Sequence, residues 1–174
     1  RRVCHDRPGR GQILMQDNAV PAGPLGWYMA QGPEYLEQVG DLEAALTVDP
    51  LQLMFGGPLE RIEPVEPLLR ASPLAAMIHL TWTKYLTRNV SLLDVMNRGC
   101  TKGAALALWA RECGIEPGEV MAIGDNYNDL EMLQFAGLPV LMGNSSPGLG
   151  PGRWLVTLTN DQDGVAAAIR AYVL

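Results

Sequence analysis

The stretch EVMAIGDNYNDLEML, residues 119–133, restricts the fold more than any other part of the sequence. A half-buried strand would alternate apolar and polar residues, whereas VMAI is an unbroken apolar run of the kind covered on both faces of a parallel sheet. Gly124 ends the run. Two aspartates and two asparagines then fall within five positions, 125–129, and a short helical pattern carries the chain to Gly137. A strand that gives way at once to a knot of carboxylates and amides places hard oxygen ligands at one end of a sheet.

The flanking sequence repeats this alternation. Thr101 is suited to cap a helix in which Leu106, Trp109, Ala110 and Cys113 share one face, and Gly114 stands where a C-terminal glycine belongs. LPVLMG and RWLVTLT read as two further strands, and DQDGVAAAIRAYV as a last helix with Val165, Ala168, Ile169 and Tyr172 on one stripe. The resulting order, αβαβ(loop)βα, predicts part of a doubly wound α/β sheet over residues 99–174. Residues 1–98 have a different texture. Proline-rich links (VPAGPLG, GGPLERIEPVEP) separate the candidate strands QILMQ, LQLMF and AAMIHL from helical candidates near 33–46 and 59–71, which predicts an α+β unit.

Composition removes several classes of function. Thirteen basic against nineteen acidic residues, a net charge of -6 and no Lys/Arg-rich run do not suit a nucleic-acid backbone as the main partner. No apolar run approaches the length of a membrane helix and no export signal opens the chain, so the expected protein is soluble and cytoplasmic. Cys4, Cys100 and Cys113 are odd in number and lack a C-x-x-C spacing; they read as reduced thiols filling the core. The chain opens RRVCHDRPGR without an initiating Met, which reads as a fragment.

Asp125 stands just beyond a strand end, where ligands of open α/β sheets gather. With Asp129 it offers carboxylate oxygens suited to Mg²⁺, an ion that keeps several waters and borrows the remaining ligands from a phosphate. The same residue types also cap helices and shape turns, and that reading stands beside the first. Lys102 lies in the first turn of its helix, where the macrodipole disfavours a cation unless an anion such as phosphate offsets it; the alternative is a lysine that bends into solvent.

TKGAALALWARECGI, EVMAIGDNYNDLEML, AGLPVLMGN and LTNDQDGVAAAI, in this order and spacing, resemble the C-terminal half of the haloacid dehalogenase superfamily, in particular Cof-type phosphatases of subfamily IIB. The resemblance covers 99–174; PLERIEPVEPLLR and KYLTRNVSLLDVMNRGCTKG resemble the end of that family's C2-type cap. It implies a Rossmann-like parallel core with an α+β cap, and a Mg²⁺-dependent phosphatase of small phosphorylated metabolites, sugar phosphates above all, acting through an aspartyl-phosphate. Lys102 and Asn128 would contact the phosphate, Asp125 would ligate Mg²⁺, and Asp129 would support it through water. Asn144 falls at the family's Gly-Asn position with its role open.

The resemblance also exposes a deficit. Family members open on a strand followed by Asp-x-Asp, the nucleophile and the general acid/base. Asp6, Asp17 and Asp49 do not match, since Pro8, Ala19 and Leu51 stand two residues on. Covalent phosphoryl transfer needs that carboxylate, so the chain by itself is expected to be inactive. The strand at 119–123 should then show an apolar edge, covered by a missing N-terminal segment or by a second copy. The alternative is a non-catalytic remnant that binds phosphate or a partner. A nucleotide-binding module would need a G-x-G-x-x-G or G-x-x-x-x-G-K-[ST] loop, and neither occurs.

Overall fold

A computed structural model describes residues 2–4, 12–16, 26, 30, 32–150 and 154–174. The chain divides into two compact units, Arg1–Arg98 and Gly99–Leu174.

The first unit is built on six strands: β1 (Arg2–Cys4), β2 (Ile13–Met15), β3 (Leu36–Gln38), β4 (Gln52–Gly57), β5 (Ile78–Tyr85) and β6 (Val90–Asn97). Their order is β3-β2-β1-β4-β6-β5, antiparallel except for the β2–β3 pair. Candidate strands at 12–16, 51–55 and 75–80 correspond to β2, β4 and the start of β5. β6 was not among them, although VSLLDVMN pairs residue for residue with β5 from Tyr85↔Val90 to Ile78↔Asn97. The hairpin closes at Asn89, whose φ of 50° lies in the left-handed region that asparagine tolerates.

Two helical expectations need correction here. The segment 33–46 holds only a 3₁₀ turn (Pro33–Tyr35), β3 and the single-turn α1 (Leu42–Ala45), because 36–38 pairs with β2 and Asp41 starts a new cap. Its Oδ1 accepts from the Glu43 amide at 2.8 Å. The segment 59–71 is helical but split into α2 (Leu59–Ile62) and α3 (Val65–Arg70) around Pro64. Asp6 and Asp17 lie outside the described residues, and Asp49 is in the loop before β4.

The second unit contains α4 (Lys102–Cys113), β7 (Met121–Gly124), α5 (Leu130–Phe135), β8 (Leu138–Leu141), β9 (Leu155–Val156) and α6 (Gly164–Tyr172). The three strands are parallel in the order β7-β8-β9, the parallel α/β sheet that the alternation predicts. Ala122, Leu133, Ala136, Leu141 and Leu149 form its core, with Leu106 and Trp154 packed against them. Full burial of a residue such as Leu133 stabilises the fold by about 1.5–3 kcal/mol. β7 pairs with β8 alone among the described residues, so its other side is a sheet edge.

α4 begins and ends as its sequence demands: Thr101 Oγ1 accepts from the Ala104 amide at 3.0 Å, and Gly114 closes the helix at φ 67°. Its buried side differs from the expected stripe. Gly103 and Ala110 are buried with Leu106 partly so, whereas Trp109 is 69% exposed and Cys113 is exposed. The cause is the close approach of α5: a Cβ at position 103 would stand 2.7 Å from the Glu131 backbone, so the contact runs along the small residues. The same holds on α6, where Gly164 and Ala168 are buried while Val165, Ile169 and Tyr172 are exposed. Cys100 is exposed as well, so neither it nor Cys113 fills the core. Among the described residues no helix is long and apolar enough to cross a membrane.

Gly103→Ala should therefore cost about 1–3 kcal/mol of stability by overpacking, while Gly99→Ala, where a Cβ meets nothing within 4 Å, should stay within about 0.5 kcal/mol. Urea denaturation of the two variants checks this; equal midpoints would contradict the close α4–α5 contact.

Candidate active site

The knot at 125–129 folds around one carboxylate. β7 ends at Gly124, and the chain turns through a 3₁₀ segment, Tyr127–Asp129, into α5. Asp129 is 5% exposed, and its Oδ2 accepts from the backbone amides of Asp125 (3.0 Å) and Asn126 (3.1 Å). Asn126 answers through Oδ1, which accepts from the Tyr127 amide at 2.9 Å. Asn126 and Asp129 also form a capping box around the 3₁₀ segment, the Asn126 side chain accepting from the Asp129 amide, whereas Asp129 heads α5 with no side-chain cap bond, so the expected cap of that helix is not made by its carboxylate. Position 124 must be glycine here, since a Cβ would stand 2.5 Å from the Asp129 Cβ.

The other oxygen of Asp129 faces Lys102. The Nζ–Oδ1 distance is 2.6 Å, and the lysine side chain remains 51% exposed. The anion that offsets a cation in the first turn of α4 is thus supplied by the protein itself. Gly103, by letting α4 approach α5, sets the span that Lys102 bridges. Three of roughly four lone-pair positions on the Asp129 carboxylate are occupied by these donors.

Asp125 is in a different state. The residue is exposed, yet its carboxyl is held above the usual carboxylate range, first by partial burial of the group and then by the neighbouring charge of Asp129, with Lys102 pulling the other way. Asn128 is half-buried in the turn between the two acids, and its side chain makes no hydrogen bond among the described residues. Lys102, Asp125, Asn128 and Asp129 therefore fall in one locality.

The donor set bears on Mg²⁺. Asp125 offers hard oxygens and carries a charge that its surroundings disfavour, so a cation would relieve it. Asp129 is committed to Lys102 and two amides, which leaves its carboxylate little free capacity for an ion. Among the described residues no cluster of three or more His, Cys, Asp or Glu forms, so any ion held here would take its remaining ligands from elsewhere.

Two features were not read from the sequence. Asn144 Oδ1 accepts from the Asn160 amide at 2.8 Å, tying the loop after β8 to the turn before α6. Asp161-Gln162-Asp163-Gly164 also carries Asp-x-Asp spacing. These acids stand in a turn, not at a strand end: Thr159 and Gln162 form a capping box around the 3₁₀ segment Asn160–Gln162, and Asp163 sits at φ 55° heading α6.

Residues 66–169 match the sequence profile of the haloacid dehalogenase-like hydrolases, and the chain belongs to that family. It is 34% identical over 140 residues to an HMP-PP phosphatase of Serratia proteamaculans, covering 80% of this chain and 48% of that protein. Over 82 residues it is 43% identical to 5-amino-6-(5-phospho-D-ribitylamino)uracil phosphatase YcsE of Bacillus subtilis, covering 47% of this chain and 33% of the relative. In fold it resembles SMU.1108c from Streptococcus mutans UA159, with a TM-score of 0.79 at 18% identity over 99% of this chain and 60% of that one. The chain spans about half the length of the curated relatives it matches.

The raised carboxyl of Asp125 has a consequence for stability. A carboxyl whose folded pKa exceeds its unfolded value contributes stability that is full below the unfolded value, about pH 4, and is lost as pH rises through the folded one. Asp125→Asn should accordingly melt at a higher temperature than the wild type at pH 7, with the gain vanishing below about pH 4. A variant that melts lower at pH 7 would show that the charge is well accommodated.

Proposed function

We propose that this chain carries half of the active site of a Mg²⁺-dependent phosphatase acting on small phosphorylated metabolites. The observation that carries the reading is the Lys102–Asp129 pair at 2.6 Å set beside the unrelieved carboxyl of Asp125. Both relatives described above are named as phosphatases, and family membership extends across the site. The sugar-phosphate substrate class rests on the resemblance to Cof-type phosphatases, and residues 1–98 would be the remainder of the cap that selects among substrates.

The roles follow from chemistry. Lys102 supplies positive charge to a phosphoryl group, where charge develops during transfer. The Asn128 amide donates to a phosphate oxygen. Asp125 holds Mg²⁺, which when bound neutralises phosphate charge and orients the group. Asp129 keeps the Lys102 ammonium and the 125–126 backbone in place. The nucleophile and its partner acid are an Asp-x-Asp pair in the resembling family; among the described residues no such pair sits at a strand end. Hydrolysis through an aspartyl-phosphate is therefore assigned to a form of the protein that also supplies that pair, and the 174-residue chain alone is assigned none.

A second reading, a non-catalytic remnant that binds phosphate or a partner, is favoured by the same lack of an Asp-x-Asp at a strand end. Hydrolysis of p-nitrophenyl phosphate with Mg²⁺, measured on this chain and on one extended upstream, separates the two. Activity confined to the extended protein, abolished by Asp125→Asn and lowered in kcat/KM by about 10²-fold or more in Lys102→Ala, supports the phosphatase. No activity in either leaves the remnant, and full rates in both variants would displace the site from these residues. The open side of β7 also calls for cover by a second copy or an additional segment. Light scattering on this chain should report dimers or larger species, and a monodisperse monomer would contradict that expectation.

A further inference from the structure

The loop that follows β8 holds a buried hydroxyl that is unpartnered among the described residues. Ser146 is 9% exposed, and its hydroxyl has no hydrogen-bond partner among the described residues; it does not cap the 3₁₀ turn Pro147–Leu149 that follows it. Leaving such a group unpaired forfeits the hydrogen bonds it makes in water, and in a folded protein it calls for an explanation. Threonine or serine at an exposed loop position would need none.

Looseness of the loop is no explanation, since it is tied down at every step. The Gly143 amide donates to Leu158 O at 3.0 Å, and Asn144 takes the Asn160 amide. The Leu149 carbonyl accepts from Trp154 Nε1 at 3.1 Å, and Leu149 itself is buried in the core. Tyr127, from the turn that carries Asn128 and Asp129, lies so close over Gly148 that a Cβ there would clash with its phenol oxygen. The decisive tie is the one at Ser146: its amide donates to the main-chain carbonyl of Asp125 at 2.8 Å. Ser146 therefore sits against the backbone of the residue whose carboxyl is the exposed acid of the site, on a loop held rigid from both sides.

We propose that the Ser146 hydroxyl is a ligand-binding group of this site and donates a hydrogen bond to an oxygen of the phosphoryl group held beside Lys102 and Asp125. The assignment rests on the phosphatase reading above and adds to it a donor that the Asp/Lys/Asn constellation does not include. A rigid, pre-placed hydroxyl next to an acid and a cation suits an anionic oxygen, because the bond forms with little ordering of the protein.

The test is calorimetric titration of the 174-residue protein with inorganic phosphate in excess Mg²⁺, on the wild type, Ser146→Ala and Lys102→Ala, together with melting of each without phosphate. Ser146→Ala should weaken phosphate binding about tenfold, the effect of one hydrogen bond to a charged group, and melt without phosphate at or above the wild-type temperature. Phosphate binding equal to the wild type in Ser146→Ala, with Lys102→Ala impaired, overturns this assignment and leaves the site reading intact. A clear fall in melting temperature without phosphate in Ser146→Ala also overturns it, by showing that the hydroxyl bonds to a structural water. Binding that Lys102→Ala leaves untouched removes the site reading and this assignment together, and if the 174-residue chain binds no phosphate, absence of binding in the upstream-extended protein as well does the same.

Discussion

One carboxylate organises the second unit. Asp129 accepts two backbone amides through one oxygen and the Lys102 ammonium through the other. The amide bonds shape the exit of β7, and the ammonium bond ties α4 to that exit across 27 positions of sequence. A carboxylate so buried and so fully engaged is strongly constrained, because removing any donor would leave charge without compensation in a poorly solvated place. The glycines around it follow as geometric necessities: Gly124 makes room for the Asp129 side chain, and Gly103 lets α4 come near enough for Lys102 to reach it.

Asp125 and Asp129, four residues apart, show how position decides the role of identical side chains. Asp129 has donors on both oxygens and serves structure. Asp125 has the weaker share of Lys102, faces the negative charge of its neighbour and pays for partial burial, which holds its carboxyl up. A protein selected for stability alone would place an asparagine there. Destabilised charge at a strand end, next to a cation, is the pattern expected where a ligand completes the electrostatics.

The parts of this arrangement legible in the sequence were those set by local chemistry. Thr101 and Gly114 marked both ends of α4, the VMAI run marked β7, and the Asp/Asn knot marked the turn from β7 into α5. Parts fixed by tertiary contact were not legible. The stripe through Trp109 failed because α5 packs onto Gly103 instead, and the helix sought at 33–46 gave way where Leu36–Gln38 found a pairing partner in β2. Lys102 was recognised as a cation needing an anion, but nothing in its neighbourhood of sequence named Asp129 as that anion. Asn144 stood at the family's Gly-Asn position with its role open, and Ser146 carried no signal of its own, until their partners, Asn160 and Asp125, came into place.

The account depends on the Lys102–Asp129 pair being a working interaction and not a chance approach of an exposed lysine. A double-mutant cycle of Lys102→Met and Asp129→Asn, read by urea denaturation at low and high salt, measures this directly. The account predicts a coupling energy of about 1 kcal/mol, the upper part of the range for pairs with one exposed member, that persists at high salt because Asp129 is buried. Additive effects of the two substitutions would contradict it and return Lys102 to the solvent.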